Sequence, residues 1–241
     1  MKQIIKPYDF TTKAFFIAMV ILFLLLQVAF HPTYLQYFPQ FQGFSWMHHV
    51  HGALMVSWVM MLILQPYLII KNKYKTHRLI GKISYITAPL VFISMILITR
   101  LSYLKMVGEM PFNEVAAFQS LNFIGPFNFL LIYSLAIIHR KDVFKHKRFM
   151  IGTLFTVSGA VFSRILIHIV GLSGELDAFF FTEYFSVSLV ILLILNDVRN
   201  KVNPIPYTIV AIAIFIGIFN MHARYTEVWQ SVVRFIGDRF F

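Results

Sequence analysis

The sequence predicts an all-α membrane protein, a polytopic bundle of seven transmembrane helices, from three observations. Of its 241 residues, 59% are hydrophobic and only 13% charged, far from the balance of a water-soluble domain. The apolar residues come in runs of roughly 17 to 24, the length a helix needs to cross a hydrocarbon layer about 30 Å thick. Those runs do not alternate polar with apolar, which excludes a transmembrane β-barrel.

The first span is expected over 14–30, after Lys2, Lys6 and Lys13, with Thr11 or Thr12 as N-cap. It is read as a retained span because no small-residue cleavage site precedes His31. The loop 31–46 holds Pro32, Pro39 and several aromatic residues but no Lys or Arg, which suits the headgroup layer. The second span, 47–70, opens on His48, His49 and His51 and carries Gln65 and Pro66 near its far end. Pro66 leaves the carbonyl of Leu62 without its helical donor. A basic turn, 71–82, holds Lys71, Lys73, Lys75, His77, Arg78 and Lys82.

The third span, 83–104, includes Pro89 and Arg100, and the short loop beyond it carries Glu109 and Glu114. The fourth, 116–139, places Gln119, Asn122 and Asn128 in its first half, with a kink expected at Gly125 and Pro126. A second basic turn runs from Arg140 to Arg148. The fifth span, 150–172, contains Arg164 and His168 and the small residues Gly152, Ser158, Gly159 and Ser163, which admit a close neighbour. An acidic loop with Glu175 and Asp177 leads to the sixth span, 181–198, which begins near Glu183 and closes at Asp197. The seventh, 205–225, has His222 near its end. These spans form one domain, 1–225. In the tail, 226–241, Trp229, Val232, Val233, Ile236 and Phe240 recur at helical spacing opposite Glu227, Gln230, Arg234 and Asp238, the pattern of an amphipathic helix lying in the membrane interface.

Seven spans put the termini on opposite sides. The amino terminus and the three loops on its side hold 15 of the 21 Lys and Arg residues, and the short loops opposite are neutral or acidic. By the positive-inside rule the amino terminus is cytoplasmic, in a multi-pass protein of the cell (inner) membrane in contact with its lipids. The net charge of +11 is therefore a membrane-side bias and not the single basic face that nucleic acid requires. With no cysteine, disulfides and thiolate ligands are excluded. Protein partners leave no signature in the sequence.

Counting 1.5 Å per residue, His51, His168 and His222 each lie roughly 4 to 6 Å below the outer boundary, on three different spans. Glu183 enters from the same side, and Arg164 shares a helix face with His168 if residues i and i+4 stack. Arg164 is about 12 Å deep by the same count. A central Arg costs at least about 2.5 kcal/mol, so it calls for a partner: Glu183, a heme propionate, a phosphate or a quinone oxygen.

This constellation admits three readings. In one, the imidazoles are axial ligands to heme b at a redox site. In another, His48, His51, His168 and His222 supply zinc ligands and Glu183 activates water as the catalytic base of a membrane hydrolase. In the third, the role is non-catalytic, in transport, sensing or assembly, and Arg164 and Glu183 form an ion pair or hold an anionic ligand. A plain account stands beside all three, since His and Arg near helix ends bond headgroups and carbonyls. His77, His139 and His146 sit in or beside the basic turns and read as a headgroup-facing surface.

The His48-to-His51 opening, Gln65-Pro66, His77-Arg78 with Gly81 and Tyr85, and His146, Arg148 and Met150 followed by Arg164 together resemble a family of bacterial integral membrane proteins of unknown function. The likeness covers the second to fifth spans. It implies a helical membrane protein and no activity. It also gives weight to Arg78 and Arg148, as residues that order the two inner turns by bonding helix carbonyls. The chain is more loosely similar to membrane b-type cytochromes, although the second span lacks the inner histidine of their two-heme arrangement.

Overall fold

In a computed structural model the described residues are 10–241, and the side chains of Phe10, Thr11, Glu175 and Leu176 are not among those described. The expectations for Lys2, Lys6 and the side chains of Thr11 and Glu175 therefore lie outside the described residues. All regular structure in the described residues is helical. Six helices are long and apolar enough to cross a membrane, and there are seven spans when one bent pair is counted as a single crossing. The protein is thus a multi-pass integral membrane protein, with lipid contact over its apolar exterior.

The chain divides into two compact units, one ending at Ser94 and one running from Met95 to Phe241. The first holds α1 (Phe10–Phe30), a single 3-10 turn (Leu35–Tyr37), α2 (Trp46–Ile70), α3 (Tyr74–Gly81) and the first half of α4 (Ser84–Val107). Helix α1 is already running at Phe10, so Thr12 lies inside it and not at its cap. It packs along α2, where the rings of Phe16 and Tyr67 lie 5.9 Å apart. The basic turn 71–82 is largely the short helix α3. It is amphipathic, a property that its density of Lys and Arg conceals. Gln65 ties α3 back to α2: with its amide nitrogen turned toward His77, it donates to Nδ1 (2.5 Å) and to the carbonyl of the same residue (3.2 Å), and its oxygen accepts from the Gly81 amide (3.2 Å).

The second unit holds the rest of α4, then α5 (Phe112–Gln119), α6 (Ile124–Ile138), α7 (Val143–Val157), α8 (Gly159–Ile165), α9 (Glu175–Arg199), α10 (Ile205–His222) and α11 (Glu227–Phe240). Helix α10 packs against α6, α7 and α9, and α6 lies along α7. Gly152 permits this approach: a Cβ there would stand 2.5 Å from Val210 Cγ2 and 3.0 Å from Ile132 Cγ2. Asn128 Nδ2 donates to the Ala213 carbonyl (2.8 Å), adding a polar tie between α6 and α10.

Three expectations change in this unit. The fourth span breaks at 120–123, before Gly125 and Pro126, which sit in the first turn of α6, where proline removes no needed hydrogen bond. Asn220 Nδ2 caps the end of α5 at the Ser120 carbonyl (3.2 Å). The second basic turn is mostly helix: α7 starts at Val143 because Asp142 accepts from the amides of Phe144 and Lys145, both at 3.1 Å, so His146 and Arg148 ride on a helix. Helix α9 begins at Glu175, so the acidic residue Asp177 is helical and not in a loop.

Most of the tail is helical, as α11. Its buried Trp229 and Val233 pack on Tyr103, Val115, Ala116 and Phe123, and Trp229 Nε1 donates to the Ala116 carbonyl (2.7 Å). Its polar side also meets protein: Gln230 Nε2 donates to the Asn113 carbonyl (3.1 Å), and Arg234 lies 4.2 Å from the Phe112 ring centre. Arg100 Nη2 donates to the carbonyl of Phe241 (3.0 Å).

Candidate functional site

His48 and His51 belong to the first unit, whereas Arg164, His168, Glu183 and His222 belong to the second. The opening of α2 gives each of its three imidazoles a separate partner. Ser45 N donates to His48 Nδ1 (3.1 Å), closing a box at the helix start that leaves that nitrogen as acceptor. His49 Nδ1 is hydrogen-bonded to the Tyr34 hydroxyl. His51 Nδ1 lies 3.0 Å from Ser94 Oγ. The Ser94 hydroxyl also lies 2.8 Å from the Val91 carbonyl, so when its single proton goes there His51 Nδ1 is the donor.

In the second unit, α9 sends two neighbouring polar side chains to different places. Tyr184 Oη meets His222 Nε2 at 2.8 Å, and the Phe180 ring packs 4.8 Å from the same imidazole. Glu183 turns toward α8 instead: a Cβ on Gly159 would lie 3.2 Å from Glu183 Oε1, with Phe179 beside it. His168 is exposed on a π turn, Leu166–Val170, which winds the chain more widely than an α-helix. The i, i+4 stacking expected of Arg164 and His168 therefore does not apply as an α-helical relation. Arg164 Nη1 donates to the Ala160 carbonyl (3.0 Å) one turn back along its own helix. Among the described residues, no group of three or more His, Asp or Glu side chains is arranged to hold a metal ion.

What Glu183 faces is the break between two helices that meet at a bend. Segments Val143–Val157 and Gly159–Val170 qualify together as one span but meet at a 41° bend. No hydrogen-bonded turn encloses Ser158. Its amide closes backward on the Leu154 carbonyl (2.9 Å), and its own carbonyl takes the amides of Val161 (3.0 Å) and Phe162 (3.1 Å). The carbonyls of Phe155, Thr156 and Val157 consequently lack the helical donors that an unbroken span would supply. The Thr156 hydroxyl gives no help, since it donates to the Thr153 carbonyl (2.8 Å). Within a bilayer such groups persist only when they are buried in protein or line a polar path.

A second polar locus, at the other end of α9, was legible only as scattered charges. Arg148 Nε donates to Asp197 Oδ2 and Nη2 to Oδ1, both at 2.6 Å, and Nη1 reaches the Phe144 carbonyl (3.3 Å). The guanidinium also lies near the Phe144 and Tyr207 rings, at 5.5 and 5.6 Å. Beside this pair on α7, His146 Nδ1 donates to the Ala136 carbonyl (2.8 Å), tying α7 to α6. A carbonyl-bonding role for Arg148 is present, but its main partner is a carboxylate from another helix.

Compared with family models, curated proteins and solved structures, the chain has no match.

Proposed function

We propose that this chain is a transport protein of the cell (inner) membrane, with its amino terminus cytoplasmic, α11 seated at the interface and its polar path in the second unit. The observation that carries the reading is the interrupted span at Ser158 with the Glu183 carboxylate set against it. Broken membrane helices expose backbone oxygens near mid-depth, and transporters use such ends, together with an ionisable side chain, to hold what they carry. Ser158 lies 15 residues after Val143 and 12 before Val170, in the middle of its span. The bias of Lys and Arg toward alternate loops supports the orientation. The exposed Val228 and Phe235 on α11 support an interfacial seat for that helix.

A purely structural pair of helices would keep water from the break. Because the chain has no cysteine, Ser158→Cys is a clean probe. In sealed vesicles of each orientation, a charged thiol-specific reagent is expected to modify it from at least one face, at a rate altered by the transported solute. Complete protection from both faces, under conditions that label a cysteine placed in the loop at Glu109, would overturn the reading.

A further inference from the structure

We propose that the break at Ser158 binds a small hard monovalent cation of the sodium class, held by the Glu183 carboxylate and the carbonyl oxygens of Phe155, Thr156 and Val157. This deepens the transport reading and rests on it. Three carbonyls without helical donors form a patch of partial negative charge at the carboxyl end of α7, a 15-residue helix whose dipole points the same way. Beside that patch stands a carboxylate for which the described residues provide no ion-pair partner. Gly159 keeps the approach open, since any side chain there would begin 3.2 Å from Oε1. Hard oxygen donors favour hard cations. One carboxylate balances one charge, and no group of three or more His, Asp or Glu side chains among the described residues offers a divalent ion the further ligands it would call for.

Water alone is the competing occupant, and the two differ in their linkage. A cation that binds only the folded protein stabilises it in proportion to the logarithm of its concentration once above its dissociation constant. The full chain, purified in mild detergent, is heated in sodium chloride and in choline chloride at matched ionic strength, with unfolding followed by tryptophan fluorescence. The expected result is a midpoint that climbs with sodium and not with choline, and loses that dependence in Glu183→Gln. If Glu183→Gln does not fold, Gly159→Ala serves in its place and is expected to raise the sodium concentration needed by at least tenfold.

Equal midpoints in sodium and choline would overturn the proposal, as would a sodium response unchanged in the variant that folds. Labelling of Ser158→Cys is a separate readout. A labelled cysteine without a sodium response leaves the transport reading in place and removes only the cation, whereas a protected cysteine removes the transport reading itself.

Discussion

Arg148 and Asp197 are joined by two parallel hydrogen bonds of 2.6 Å, between α7 and the far end of α9, with side chains only 11% and 3% exposed. The fork of the guanidinium matches both carboxylate oxygens, and the neighbouring rings of Phe144 and Tyr207 exclude solvent. A pair so placed gains little over an apolar substitute, because both charges must be desolvated. Breaking it by halves leaves one buried charge and costs about 3 to 5 kcal/mol. Asp197→Leu should therefore lower the unfolding midpoint in detergent sharply, and the double variant Arg148→Met, Asp197→Leu should recover most of the loss. A double variant as unstable as the single one would show that the pair is not the source of the effect.

Gly152 sets the distance between α7 and the helices on either side of it. A methyl group there would press to 2.5 Å from Val210 Cγ2 and 3.0 Å from Ile132 Cγ2, well inside contact distance, in a region where both partners are almost fully buried. Overpacking of this kind costs about 1 to 3 kcal/mol. Gly152→Ala is expected to destabilise by that amount, and adding Val210→Ala should return part of it by vacating the space. If the two substitutions simply add in thermal unfolding, the close approach is not what constrains position 152.

The elements most legible in the sequence were those whose cause is local. A continuous apolar run fixes a span, and α2 and α4 lie within a few residues of their expected limits because little but hydrocarbon length decides them. The helical spacing of the tail did not say that Trp229 and Val233 cover α5, since a period does not say what lies beneath it. The break at Ser158 was hidden because small residues at 152, 158, 159 and 163 all suggest close packing. That account holds for Gly152, while at Ser158 the helix comes apart. Arg148 and Asp197 are 49 residues apart, and each looked like an ordinary charge near a helix end. The direction of Glu183 and Tyr184 on α9 depends on tertiary packing that no spacing rule contains.

Trp229 anchors α11 through one hydrogen bond to the Ala116 carbonyl (2.7 Å) and an edge-to-face contact with Phe123, with ring centres 5.8 Å apart. Trp229→Phe keeps an aromatic ring but leaves that buried carbonyl without its donor, a cost of about 1 to 3 kcal/mol. Because Trp229 and Val233 are the buried residues of α11, the penalty should appear as local detachment before global unfolding. Cleavage after Arg234 and Arg239 by an Arg-specific protease is expected to speed up at least fivefold in the variant at a temperature where the rest of the protein stays folded. Unchanged cleavage would mean that the other contacts of α11 suffice to hold it.

Tyr34 offers a pH test outside the spans. Its ring lies 4.9 Å from that of Phe41 and 5.2 Å from that of Phe44, and its hydroxyl is hydrogen-bonded to His49 Nδ1. Burial pushes the phenol above its ordinary value of 10.0, because the surroundings disfavour the phenolate. The folded protein therefore holds this proton to a higher pH than the unfolded chain does. Stability from this source is complete below pH 10 and falls as the pH rises through the raised folded value, since the unfolded state releases the proton first. Tyr34→Phe removes the hydrogen bond at every pH but also removes that slope. The unfolding midpoint of the native protein should thus decline more steeply than that of Tyr34→Phe above pH 10, with the remaining tyrosines contributing equally to both. Parallel curves would place the phenol's titration at the same pH in the folded and unfolded states, and with it would go the claim that the loop 31–45 shields this ring from water.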